Sequence, residues 1–177
     1  MSHWLLIVAV CSFALGSRSS SQLAWWVTAR FVPADLSVEG MPVREIDREW
    51  LAASVLKTTA LPAEASRPGE SVEEHDAAFE ISRDLDRDGR LDKAVVGVYM
   101  TDSRTVGRFL IILSTNKRGK WSRRALFKQP GDAGFSALRV QRGRLVWAFC
   151  LECDSSCEVM PQRGAWKLTC RSCCPQA

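Results

Sequence analysis

The sequence predicts an α+β protein: an antiparallel β-meander with one N-terminal-side helix and a Cys-rich C-terminal hairpin. Three observations carry this. From Phe79 onward, short β-branched and apolar runs alternate with turn residues. The connections between them, such as Gln141–Arg144 and Pro161–Gly164, are short enough for hairpins and contain no helical stretch. A parallel sheet would need crossovers of a dozen or more residues.

Taken in order, Trp4–Leu15 is a short apolar run without Lys or Arg. It has the length of a signal-peptide h-region and is too short to span a bilayer. Ala14-Leu15-Gly16 offers small residues for cleavage, so residues 1–16 are assigned to a signal peptide and residues 17–24 to a flexible mature terminus. Val10 before Cys11 argues against lipidation. Residues 25–177 are expected to form a single domain. Trp25, Trp26 and Phe31 fit a first strand. Ile46, Trp50, Leu51, Val55 and Leu56 recur at helical spacing, which predicts a helix from Ile46 to Leu61 stopped by Pro62. Ala63–Asp76 is polar and reads as a surface loop. The expected strands are Phe79–Arg83, Lys93–Met100, Phe109–Thr115, Trp121–Phe127, Phe135–Val140, Leu145–Leu151, Glu158–Met160 and Ala165–Thr169.

With 177 residues, of which 46% are hydrophobic, the chain can build a real core, and global disorder is excluded. The net charge of +4 is modest. It is concentrated in Lys117, Arg118, Lys120, Arg123, Arg124 and Lys128, around one expected hairpin tip. An ordinary charged edge, kept polar against strand pairing, accounts for this better than nucleic-acid binding does.

The run Asp84-Leu85-Asp86-Arg87-Asp88-Gly89-Arg90-Leu91-Asp92 is the strongest chemical signal. Alternating carboxylates converge only if the backbone curls around a point, and Gly89 stands where such a loop turns most sharply. Asp84, Asp86 and Asp88 then offer oxygens to one centre, and Asp92 closes the ring directly or through water. An oxygen-only set suits a hard cation, Ca²⁺ before Mg²⁺. An EF-hand would place a bidentate Glu at the twelfth position from Asp84. Here that residue is Val95, inside an apolar run that reads as a strand.

This stretch, followed by Arg108–Asn116 and the turn Lys117-Arg118-Gly119-Lys120-Trp121, resembles a single FG-GAP/VCBS-type calcium-loop repeat. The resemblance implies side-chain ligation by Asp84, Asp86, Asp88 and Asp92 and a backbone carbonyl from Arg90. Such repeats usually build propellers of several blades. One motif stands here, so it implies one calcium-braced hairpin in a small sheet domain.

Of the 7 cysteines, Cys11 falls in the signal segment. Cys150, Cys153, Cys157, Cys170, Cys173 and Cys174 remain, an even number that suits disulfides in an exported chain. If the terminal hairpin forms, Cys157 and Cys170 meet at its base. Two alternatives stay open. Cys150-x-x-Cys153 with Cys170-x-x-Cys173 has zinc-ribbon spacing and would hold Zn²⁺ on four thiolates. A single C-x-x-C would be redox-active.

Only 2 histidines occur, and His3 falls in the signal segment. His75 lies in a polar loop among Glu73, Glu74 and Asp76, where a solvated role is expected. With no phosphate-cradling loop and no organised base, the sequence points to a non-enzymatic, secreted or periplasmic protein. It is expected to bind calcium and to act structurally or on an unidentified protein or envelope partner, without a transmembrane span in the mature chain.

Overall fold

The computed structural model describes residues 23–115, 119–162 and 164–171. The expected signal peptide and most of the Ser-rich terminus lie outside the described residues, as do Cys11, Lys117, Arg118, Cys173 and Cys174. In chain order the regular elements begin with α1 (Trp25–Thr28), β1 (Ser37–Val38), β2 (Met41–Pro42), α2 (Val43–Ile46) and β3 (Trp50–Val55). The strands β4 (Ala77–Ala78), β5 (Glu80–Arg83), β6 (Asp92–Thr101), β7 (Val106–Thr115) and β8 (Trp121–Pro130) follow. The chain ends with β9 (Ala137–Gln141), β10 (Arg144–Ala148), β11 (Ser156–Gln162) and β12 (Ala165–Arg171).

All the described strand pairs are antiparallel. They form two five-stranded sheets and a small β1–β2 ribbon. One sheet runs β12-β11-β10-β9-β4. The other runs β3-β6-β7-β8, and β5 shares with β3 the same edge of β6. β5 pairs with Asp92–Val95, while β3 pairs with Gly97–Thr101. The α+β class therefore holds, with helix reduced to two single turns. Among the described residues no helix is long and apolar enough to cross a membrane.

β6 and β7 form the middle layer. Ala94, Val96, Val98, Leu110 and Ile112 face the β12-β11-β10-β9-β4 sheet and pack with Leu138, Leu145, Trp147 and Val159. Val95, Tyr99, Phe109, Ile111 and Leu113 face the other way, onto Val38, Val43, Ile46 and Trp50. Burial on both sides explains why these two strands are continuous apolar runs rather than alternating ones. Burying a Val, Leu, Ile or Phe side chain contributes about 1.5–3 kcal/mol, so this layer dominates stability.

The expected helix from Ile46 to Leu61 is not formed. The chain makes one helical turn up to Ile46 and then enters β3. The free edge of β6 offers backbone partners to residues 50–55, and that ladder overrides a local preference for helix. Trp50 stacks on Tyr99 at 5.0 Å with 8° between rings, while Leu51 points outward. The expected first strand is also replaced. Trp25 and Trp26 lie in α1, where one turn buries both neighbouring indoles, which a strand would send to opposite faces. Trp25 packs edge-on against Phe135 and donates its indole N–H to the Glu70 carbonyl at 2.9 Å.

The expected turn at Gln141–Arg144 is a two-residue hairpin, with Gln141 facing Arg144 and both Arg142 and Gly143 at positive φ. That conformation matches the right-handed twist of the flanking strands.

Candidate metal centre

The acidic loop spans residues 84–91 and closes the hairpin between β5 and β6, with Arg83 paired to Asp92 at its base. It is flanked by strands, not helices. The curl rests on two left-handed residues, Gly89 at φ +82° and Arg87 at φ +63°. The first was legible in the sequence and the second was not. Open space surrounds the Gly89 Cα, so its glycine is required by backbone conformation and not by crowding.

The loop wraps its own backbone N–H groups around the carboxylates. Asp84 accepts from Asp88 N–H at 3.1 Å and from Gly89 N–H at 3.0 Å. Asp86 accepts from Asp88 N–H at 3.2 Å, and Asp88 accepts from Arg90 N–H at 2.9 Å. One oxygen from each of Asp84, Asp86 and Asp88 lies within 4.8 Å of the others. Oxygens held 2.3–2.6 Å from a common Ca²⁺ stand at most about 5 Å apart, so the three fit one coordination shell.

Asp92 is placed differently. It begins β6, is 1% exposed, and accepts the Leu85 N–H on Oδ2 at 3.0 Å. Its Oδ1 is buried and has no hydrogen-bond partner. A buried polar oxygen without a partner is costly. Asp92 thus sits at the base of the loop, opposite Arg83, and is not one of the three carboxylates that converge within 4.8 Å. Arg90 joins through its backbone N–H and a loose ion pair, with Nε 4.0 Å from Asp88. Among the described residues that is the one side-chain cation within ion-pair reach of these four carboxylates. Lys93, next along the chain, is committed elsewhere, to Glu39 at 2.8 Å and Glu80 at 3.7 Å.

The electrostatics agree. Burial pushes the Asp86 carboxyl above the usual aspartate range, and the charges of Asp92, Asp88 and Asp84 push it the same way, against the Asp88 N–H. The loop therefore concentrates negative charge, and its own N–H groups only partly offset it. Bound cation would remove that repulsion.

The cysteines that can be placed form two disulfides, Cys150–Cys153 and Cys157–Cys170. The second joins directly opposed residues of β11 and β12, as the hairpin geometry predicts. In this disulfide-bonded form Cys150, Cys153 and Cys170 carry no thiolate for zinc. Cys173 and Cys174 lie outside the described residues.

His75 differs from expectation. It sits in a 3₁₀ turn, half-buried, with its ring edge-on to Trp26 at 5.8 Å and Nε2 3.0 Å from the Gly69 carbonyl. It supports the fold there. In the basic cluster, Lys128 is paired with Asp47 at 2.6 Å and lies 3.9 Å from Glu49.

No protein-family model matches the chain, and neither a curated protein nor a solved structure does.

Proposed function

We propose that this is an exported, non-enzymatic calcium-binding domain with a structural or partner-binding role at the cell envelope, secreted or periplasmic. The observation that carries the reading is the convergence of Asp84, Asp86 and Asp88 in a loop whose base holds the buried Asp92 with one oxygen unpartnered. Ca²⁺ is preferred to Mg²⁺ because the donors are all oxygens on a short loop that can adapt its geometry. Asp84, Asp86, Asp88 and Asp92 supply the charge, and the Arg90 carbonyl completes the set that the FG-GAP/VCBS resemblance implies. Bound ion fixes the β5–β6 turn and, through it, the register of the middle layer. Two disulfides favour an oxidising compartment, where calcium is abundant and weak sites suffice.

The test is a calorimetric calcium titration of the purified protein, paired with thermal melts of Asp86→Ala/Asp88→Ala. Uptake of one ion is expected with a Kd of about 10⁻³ M or tighter. The double variant should melt lower than the parent in calcium and nearly with it in chelator. No uptake at millimolar calcium, or an equal loss in both buffers, overturns the reading.

A further inference from the structure

The two disulfides sit in different chemical settings. Cys157–Cys170 joins directly opposed residues of two paired strands, with Cys157 2% exposed and Cys170 exposed at the sheet edge. Cys150–Cys153 closes a very short loop in the bend between β10 and β11 and joins no two strands. A crosslink over so few residues restricts the unfolded chain least, so folding protects it least from reduction.

Its two sulfurs are also unequal. Cys153 is exposed, whereas Cys150 is 6% exposed, and the Cys150 Sγ accepts the Cys153 N–H at 2.9 Å. An N–H directed at sulfur favours the thiolate over the thiol. Beside it, Arg139 reaches across from β9 and donates from Nη2 to the Leu151 carbonyl, one residue from Cys150. Its Nε is buried without a hydrogen-bond partner, and the carboxylate whose charge acts on it is Asp76. A guanidinium hydrogen-bonded to the carbonyl next to Cys150 brings positive charge to the C-x-x-C loop, and positive charge near a thiol favours its thiolate.

We propose that Cys150–Cys153 is a thiol–disulfide exchange site that oxidises a partner dithiol, while Cys157–Cys170 is a structural crosslink. A partner thiolate attacks the exposed Cys153 Sγ, the Cys150–Cys153 bond breaks, and Cys150 leaves as the thiolate held by the Cys153 N–H. The partner's second thiolate then attacks its own sulfur in the mixed disulfide and expels Cys153. The partner's two thiols become a disulfide, two electrons pass to Cys150 and Cys153, and the two protons released by the partner end on their sulfurs.

The experiment equilibrates the full protein in glutathione buffers of graded ratio, with calcium and again with chelator. Acid quench, alkylation and peptide mass spectrometry follow. Two glutathiones stand in for the dithiol. Cys150–Cys153 should be half-open at a ratio at least tenfold less reducing than Cys157–Cys170 requires, with trapped glutathione on Cys153. Simultaneous opening, earlier opening of Cys157–Cys170, or glutathione trapped on Cys150 overturns the proposal. Arg139→Met should shift the opening of Cys150–Cys153 about tenfold toward more reducing buffer and leave Cys157–Cys170 unmoved, with Arg139→Lys retaining the parent ratio. Equal shifts of both disulfides would mean that Arg139 acts only on the fold and would remove it from the proposal. The calcium reading can fail without touching these outcomes, because no sulfur belongs to the acidic loop.

Discussion

Asp92 and Leu85 are joined across the neck of the acidic loop: the buried Asp92 Oδ2 accepts the Leu85 N–H at 3.0 Å while its Oδ1 meets nothing. One oxygen shapes the loop and the other is left without a hydrogen-bond partner. The two roles separate by mutation. Asp92→Asn keeps an acceptor for Leu85 and removes the charge. It should leave the fold stable in chelator and weaken calcium binding by about tenfold or more, since even outer-shell partners of a metal are worth 10–100-fold. Asp92→Ala also strands the Leu85 N–H, and should cost about 1–3 kcal/mol with or without calcium. Urea unfolding of both variants in both buffers checks this. Identical behaviour of Asn and Ala would refute the division of labour.

Asp86 gives a pH signature whose sign depends on the ion. Without metal its folded pKa is raised, by burial first and by the neighbouring carboxylates next. The folded state then holds the proton more tightly than the unfolded one, whose aspartates titrate near 3.9. Asp86 therefore favours the fold below that value, and its contribution falls as pH rises to the raised pKa. Asp86→Asn should be more stable than the parent in chelator at neutral pH, with the gap closing as pH falls below about 4. With calcium bound the cation depresses the carboxylate pKa, the sign reverses, and the parent should be the more stable at neutral pH. Thermal melts across pH 3–8 of both proteins, in chelator and in calcium, are the measurement. A gap of one sign in both buffers would refute the linkage.

The sheet was legible because β6 to β12 are built from short apolar runs with turn residues between them, and the antiparallel order followed from the short connections. The Cys157–Cys170 pair followed from the same hairpin. The acidic loop was legible because its geometry is local: Asp at alternate positions and a glycine at the turn need no tertiary information. Tertiary contacts decided the rest. Trp50, Val55 and Leu56 fit helical spacing, yet the vacant edge of β6 claimed their backbone. Trp25 and Trp26 read as a strand until one helical turn proved the way to bury both. Arg87 in left-handed conformation, Asp92 as a buried base and Arg139 against the C-x-x-C bend left no mark in the pattern, because each depends on a neighbour distant in sequence or on loop geometry.

Gly97 shows what the close approach of β3 to β6 requires. A Cβ there would lie 2.3 Å from the Ser54 carbonyl oxygen and 2.5 Å from the Phe109 ring. The first obstacle is backbone on a paired strand and cannot rotate away. Gly97→Ala should cost about 1–3 kcal/mol through displacement of β3 or of the Phe109 ring. Near-ultraviolet circular dichroism should report altered Trp50–Tyr99 stacking, since both rings sit in that layer. Unchanged urea stability would mean that β3 lies farther from β6 than described.

Cys157 and Cys170 face each other on β11 and β12, and β12 is held to its sheet by β11 alone. Without the crosslink β12 keeps a single hydrogen-bonded neighbour, β11. Cys157→Ser/Cys170→Ser should therefore lower stability by about 2–4 kcal/mol, the usual worth of a disulfide closing a loop of this class. The loss should be the same in calcium and in chelator, because the acidic loop belongs to the other sheet. Cys150→Ser/Cys153→Ser closes a far shorter loop and should cost clearly less. Urea unfolding of the two double variants side by side decides it: a larger loss at Cys150/Cys153 would invert the assignment of structural and exchangeable crosslinks.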